Sequence, residues 1–210
     1  MKYSLKRLYR KIFPGYIIEL EKAISDCKTL LDLGCGSSSP IKSFSKKFYS
    51  IGIDAFKQNI YKSERENIHD KYYTMNVLDI YKKFKNNSFD CVIALDLIEH
   101  LTKEEGFKLI NIMERIAKKK IIIFTPNGLL PQKEYENNPL QEHKCGWTVE
   151  EIKNMGYEVI GINGWKILRG EYAYIKFKPK FFWSVVSDIT QTIIRNNPKN
   201  AFQLLCIKYK

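Results

Sequence analysis

The sequence predicts an α/β protein: a doubly wound, mostly parallel sheet of seven strands with an antiparallel edge strand. Two patterns predict it. Apolar, β-branched runs of strand length alternate with segments whose apolar residues recur at helical spacing, and such alternation implies a parallel sheet with both faces covered. A glycine turn follows directly on the first apolar run, in "LLDLGCGSSSP" from Leu30 to Pro40. No internal repeat, low-complexity tract or Gly/Ser linker interrupts the pattern. Residues 1–210 therefore read as one domain, with residues 1–26 as a basic helical extension.

Thr29–Leu33 is the first strand, short and apolar. Ser39 suits an N-cap and Pro40 a first helical turn, so a helix is expected there with Ile41, Phe44 and Phe48 on one face. Tyr49–Asp54, "YSIGID", is the second strand, Tyr72–Val77 the third and Phe89–Leu95, "FDCVIAL", the fourth. "TKEE" at Thr102–Glu105 has the residues of a capping box, and the helix it opens places Phe107, Ile110, Met113 and Ala117 on one stripe. Lys120–Thr125, "KIIIFT", has the continuous apolar character of a central parallel strand. A second capping box, "TVEE" at Thr148–Glu151, opens a short helix ending at Gly156, and "YEVIGI" follows as a strand. Phe182, Val185, Val186, Ile189 and Ile193 form a helical stripe. Asn196–Pro198 turns the chain into "FQLLCIKY", and the two late strands are expected to pair as an antiparallel edge.

Composition excludes several classes. At 44% hydrophobic and 28% charged residues, the chain is that of a soluble globular protein rather than a disordered one. No apolar run approaches the roughly 20 residues of a membrane span. The start, "MKYSLKRLYRKIFPGY", is basic but has no apolar core or cleavage site, so no secretion signal is expected. The 5 cysteines are scattered and never in a CxxC pair; that points to reduced thiols, a cytoplasmic location and no metal site. The net charge of +12 is spread along the chain, apart from Lys2, Lys6, Arg7, Arg10 and Lys11, which crowd together. Dispersed lysines fit a solvated surface; the cluster also suits nucleic acid or anionic membrane.

The glycine turn sits where ligands bind in such sheets, beyond the carboxyl ends of the strands. Gly34 and Gly36 let the backbone approach a ligand closely. Asp54, ending the second strand, is placed to accept two hydrogen bonds from a ribose diol, so the ligand contains a nucleoside. A dinucleotide does not fit. Ser39 stands at the third glycine position of G-x-G-x-x-G, and Asp32, just before the turn, would repel a pyrophosphate but attract an ammonium group. S-adenosylmethionine has the required cationic end, nucleoside and lack of phosphate.

"LLDLGCGSSSP", "IGIDAF", "MNVLDI", "FDCVIALDLIEHL" and "IIIFTPNG" together resemble the successive motifs of class I S-adenosylmethionine-dependent methyltransferases, over roughly residues 28 to 165. The resemblance implies a Rossmann-like methyltransferase fold and S-adenosylmethionine as cofactor. It implies that Asp32 organises the turn and attracts the cofactor's amino group, directly or through water. Gly34, Cys35 and Gly36 pack backbone against the methionyl and ribose parts, and Asp54 holds the ribose hydroxyls. Ala55 and Phe56 lie against the adenine, Asn76 and the Val77 amide read it, and Leu95 and Asp96 offer backbone to the methionyl amine. Asn76 replaces a frequent aspartate but keeps an acceptor oxygen.

Methyl transfer from a sulfonium needs alignment above all, and a base only where the acceptor must lose a proton early. His143, in "QEHKCGWT" between the fifth strand and the next helix, is the candidate base; a loop histidine capping backbone is the other reading. Glu99 and His100 are expected to start a short helix under the site. The loop "GLLPQKEYENNPLQEHKCGW" and the insert "YAYIKFKPKFFW" are the expected acceptor-shaping parts. The lack of an N-P-P-Y-type tetrapeptide after the fourth strand disfavours a flipped-out base or amide nitrogen, and the resemblance in its "LDLIEHL" form implies a hydroxyl or similar nucleophile of a small molecule, glycan or lipid-linked acceptor. RNA or protein methylation, and a non-catalytic cofactor-binding module, are the alternatives. The basic start and Phe181–Trp183 suit a membrane headgroup region, so peripheral membrane contact stands beside a plain packed helix.

Overall fold

The computed structural model of the protein describes residues 15–133, 138–170 and 173–210. The basic cluster Lys2–Lys11 lies outside the described residues, as do parts of the two acceptor-shaping segments, at 134–137 and 172. Seven strands form one sheet: β1 (Thr29–Leu33), β2 (Tyr49–Asp54), β3 (Lys71–Thr74), β4 (Phe89–Leu95), β5 (Ala117–Pro126), β6 (Glu158–Trp165) and β7 (Ala201–Tyr209). Their order is β3-β2-β1-β4-β5-β7-β6. The first five strands pair in parallel, and β7 runs antiparallel to both β5 and β6. The two late strands pair antiparallel at one edge as expected, but the strand that runs against the others, β7, is not itself the edge strand. It lies one place in, where "FQLLCIKY" with its flanking Ala201 is apolar on both sides, and β6 takes the edge.

Side-chain alternation puts half of each central strand on each face. Leu31, Leu33, Val92, Ala94, Ile121 and Ile123 pack on one side, with α3 (Lys103–Ile116) and α4 (Val149–Asn154). Leu30, Cys91, Ile93, Ile122 and Phe124 pack on the other, with α1 (Tyr16–Ile24), Phe44 and Phe48. The remaining helices are α2 (Lys57–Arg65) and α5 (Lys180–Ile194). Both capping boxes form: Thr102 with Glu105, and Thr148 with Glu151.

Three expectations are corrected. No α-helix follows the glycine turn; Pro40–Ser43 makes only a 3-10 turn. Ser39 does not cap it, because its hydroxyl donates to Asp32 instead. The third strand ends at Thr74 rather than Val77, since Asn76 accepts from the Leu78 amide and starts a 3-10 turn over Val77–Lys82. The apolar stripe of α5 faces outward. The helix meets β6 through Ser187, Gln191 and Ile194, and Gln191 exchanges hydrogen bonds with the backbone of Gly161 and Gly164.

The long connection from β5 to α4 folds back over the sheet because Trp147 is an anchor. Its ring is fully buried, its Nε1 donates to the Ile98 carbonyl at 3.3 Å, and Lys103 sits over it. Space for the ring comes from Gly106, where a Cβ would fall 2.4 Å from Trp147 Cζ2. Helix propensity alone makes Gly→Ala in α3 stabilising by up to about 1 kcal/mol. We expect Gly106→Ala to destabilise instead, by about 1–3 kcal/mol through overpacking, read from urea unfolding; an unchanged or raised midpoint would show that Trp147 is not held there.

Candidate active site

Three cavities open at the carboxyl ends of β1, β2, β4 and β5 and meet at Asp96 and Gln141, which line all of them. The first, about 440 Å³, is walled by the glycine turn with Phe56, Asn59 and Leu95. The second, about 230 Å³, is walled by Asp54, Ala55, Asn76, Val77 and Leu97. The third, about 420 Å³, lies over β5 and β7 and is walled by Glu99, His100, His143, Tyr16 and Phe124.

The turn is fixed by hydrogen bonds its sequence alone does not reveal. Asp32 is 1% exposed and lines none of these cavities. Its Oδ2 accepts from Ser39 Oγ at 2.6 Å and lies 2.9 Å from His69 Nε2. Asp32 thus does not face the ligand space directly. It holds the turn, while Gly34 and Gly36 take positive φ that other residues seldom adopt. A Cβ on Gly34 would strike Leu97 at 2.7 Å, whereas one on Gly36 would meet nothing within 4 Å. The Gly36 amide donates to Asp54 Oδ2 at 2.9 Å and the Phe56 amide to Asp54 Oδ1 at 2.8 Å. Burial nonetheless raises the Asp54 pKa, these bonds opposing it. Each carboxylate oxygen can accept more than one bond, so Asp54 keeps acceptor capacity toward the cavity it lines. Asn76 Oδ1 accepts from the Leu78 amide and has a second lone pair. Burial pushes the Cys35 thiol up, which makes it a packing residue and no nucleophile.

At the end of β4, Asp96 takes φ +49, a conformation side chains tolerate at a cost and that concentrates at functional sites. Its Oδ1 accepts from Gln203 Nε2 at 3.2 Å, and Gln203 Oε1 accepts from Asn163. Asp96 opens onto the cleft but has protein on its other sides; that desolvation lifts its carboxyl to about 7. Tyr16 stacks on Phe124 at 3.8 Å, and its buried hydroxyl has no partner.

Two of the 3 histidines of the chain, His100 and His143, line the third cavity, whereas His69 precedes β3 and reaches Asp32. His143 Nδ1 is 2.6 Å from the Leu130 carbonyl and His100 Nδ1 is 3.1 Å from that of Glu142. A carbonyl only accepts, so each Nδ1 carries the proton and each Nε2 keeps a lone pair. Burial lowers the pKa of both, that of His100 to about 4. Glu99 is 1% exposed; Thr125 donates to its Oε2 at 3.1 Å, and its Oε1 is buried without a partner. Burial, then the charge of Asp96, hold the Glu99 carboxyl well above its ordinary range. Donor atoms of Glu99, His100 and His143 lie within 4.8 Å of one another. One carboxylate and two neutral imidazoles suit a divalent cation, and the orphaned Glu99 oxygen fits one. The cysteine pattern gave no sign of this trio. The adjacent Glu99–His100 pair after β4 was a local clue, but its link to His143 spans a folded loop.

Against known proteins, residues 31–124 match the methyltransferase domain family. Among curated proteins, the chain is 24% identical over 173 residues to a small RNA 2′-O-methyltransferase of Tetrahymena thermophila, covering 66% of this chain and 41% of that one. It is 31% identical over 121 residues to a ubiquinone biosynthesis O-methyltransferase of Rickettsia bellii, covering 53% and 48%. The chain thus spans half or less of the length of these relatives. An S-adenosylmethionine-dependent methyltransferase from Archaeoglobus fulgidus superposes with a TM-score of 0.59 at 18% identity, covering 98% and 99% of the two chains. With the cleft described above, the chain matches the methyltransferase domain family over residues 31–124 and shares, over nearly its whole length, the fold of the Archaeoglobus fulgidus enzyme.

The buried Asp32–His69 contact generates a stability prediction. His69→Ala removes a hydrogen bond to a buried carboxylate and opens a cavity, so unfolding free energy should fall by about 3 kcal/mol or more. Urea denaturation checks it; a loss below about 1 kcal/mol would mean the turn is held by other contacts.

Proposed function

We propose that the protein transfers the methyl group of S-adenosylmethionine to a hydroxyl of a small molecule, glycan or lipid-linked acceptor. The observation that carries this is the 420 Å³ chamber: it meets the two cofactor-side cavities at Asp96 and presents Glu99, His100 and His143 to a group the size of one ring or sugar. Asp54 takes the ribose hydroxyls, and Gly34, Cys35 and Gly36 lie along the ribose and methionyl parts. Ala55, Phe56, Asn76 and Val77 enclose the adenine, and Leu95 and Asp96 meet the methionyl amine. Asp32 acts through the turn it holds.

Alignment supplies most of the rate. The acceptor oxygen bonds to the methyl carbon as the carbon–sulfur bond breaks, sulfur keeps the electron pair, and the hydroxyl proton is released. Glu99, His100 and His143 would hold a divalent cation, which would supply Lewis-acid chemistry toward the acceptor hydroxyl. Such an ion lowers the pKa of a hydroxyl it binds. His143 thus serves with two partners rather than as a lone base. RNA as acceptor is the second reading, favoured by the net charge of +12 and the match to the Tetrahymena protein; RNA binding that weakens steeply with salt would support it.

Two measurements test the trio. His143→Ala should lower turnover about 10²–10⁴-fold with adenosylhomocysteine affinity intact by calorimetry; unchanged turnover would remove His143 from the mechanism. Mn²⁺ titration should release protons to the extent that burial and the charge of Asp96, which raise the Glu99 pKa, keep that carboxyl protonated before the ion binds. Affinity for Mn²⁺ should therefore rise with pH, and His100, at about 4, does not compete near neutrality. Mn²⁺ affinity that ignores pH, or survives Glu99→Gln unchanged, would leave His143 as a base without a metal.

A further inference from the structure

Helix α5 is built inside out. Its inward side carries Ser187 and Gln191, both buried, beside Ile194. Arg169 donates to Ser187 Oγ and Thr190 Oγ1 accepts from the Trp165 amide, so much of this contact is polar. Two glycines of β6 let the helix approach: a Cβ on Gly161 would lie 2.2 Å from the Ile194 carbonyl and one on Gly164 2.4 Å from that of Ser187. Outward stand Phe181 (83% exposed), Phe182, Val185, Ile189 (52%) and Ile193 (69%). Phe181, Val185, Ile189 and Ile193 are spaced by four and form one ridge about 18 Å long. Exposed apolar residues arranged contiguously mark a surface that something covers.

Charge says what covers it. Exposed Lys176, Lys178 and Lys180 flank the start of the ridge with Tyr174 and Phe177, and no acidic residue occurs from 174 to 187. Copies of a chain with net charge +12 repel one another, whereas an anionic surface is attracted. Apolar side chains beneath, with lysines and aromatics at the rim, are the composition of a helix lying in a bilayer interface. We propose that α5 and the segment 173–180 dock this protein on an anionic lipid surface, with the apolar ridge in the acyl boundary and the lysines at the headgroups. Ala173 and Asn163 line the acceptor chamber, so the docked face adjoins its wall. Resting on the reading given under the proposed function, this favours an acceptor that is itself lipid-linked.

Co-sedimentation of the full chain with vesicles tests the docking. Vesicles of phosphatidylcholine with about one third phosphatidylglycerol should bind it at low salt about tenfold or more tighter than phosphatidylcholine alone. The double variant Phe181→Glu/Ile189→Glu should lose that binding about tenfold or more, while its unfolding midpoint and adenosylhomocysteine affinity stay as in the parent. Those two readouts separate failure of docking from failure of the cofactor site. The proposal is overturned if the parent ignores anionic vesicles at low salt or if the double variant binds them equally well. It is also overturned if sedimentation velocity shows a dimer that the variant dissociates, which would make the ridge an interface between copies.

Discussion

A carboxylate buried near the end of a parallel strand needs hydrogen-bond partners, and the partners of Asp32 shape the cofactor half of the cleft. Ser39 reaches it from beyond the glycine turn and His69 from the connection leading into β3. Those contacts close the turn into a loop whose ends cannot drift, so Gly34 and Gly36 hold their left-handed backbone and Gly36 can point its amide at Asp54. Asp54 is oriented in turn by that amide and by the Phe56 amide. Both Ser39 and His69 reach the same oxygen, Oδ2, and losing either would leave a buried carboxylate short of a hydrogen bond. The cavity geometry is therefore a by-product of satisfying one buried acid.

The acceptor half depends on a different anchor with a similar logic. Trp147 pins the returning loop to Ile98, and the same loop gives its Lys144 and Cys145 amides to the Glu99 carbonyl. His143 is thereby set beside His100, their ring centroids 4.8 Å apart. Main-chain carbonyls occupy the Nδ1 side of both rings, so the chemistry left to them is that of Nε2. Backbone, more than side chains, determines what these histidines can do.

Local signals were legible in the sequence and non-local satisfaction was not. The strands, the two capping boxes and the glycine turn are written in neighbouring residues, and the structure has them with small shifts at their ends. Ser39 reads as a helix cap because serine followed by proline usually is one; the need of Asp32, seven residues earlier, outweighs that propensity. His69 carries no local mark at all, since its partner is on another strand. The α5 stripe has the right period, but period does not tell which way a stripe faces. Glycines at 161 and 164 were the clue that a helix backbone, and not an apolar side, lies against β6.

The electrostatics of the cleft run opposite to those of the chain as a whole. A protein with net charge +12 gathers Asp32, Asp54, Asp96 and Glu99 at one end of its sheet, close enough that Asp32 raises the pKa of Asp54 and Asp96 that of Glu99. Holding like charges together in a poorly solvated place is costly, and the cost is lowered by cations. A sulfonium and an ammonium in the cleft, and a divalent ion at the trio, are charges that would relieve it, while a phosphate anhydride would raise it further. Most lysines of the described residues are exposed and give the outer surface an independent attraction for anions.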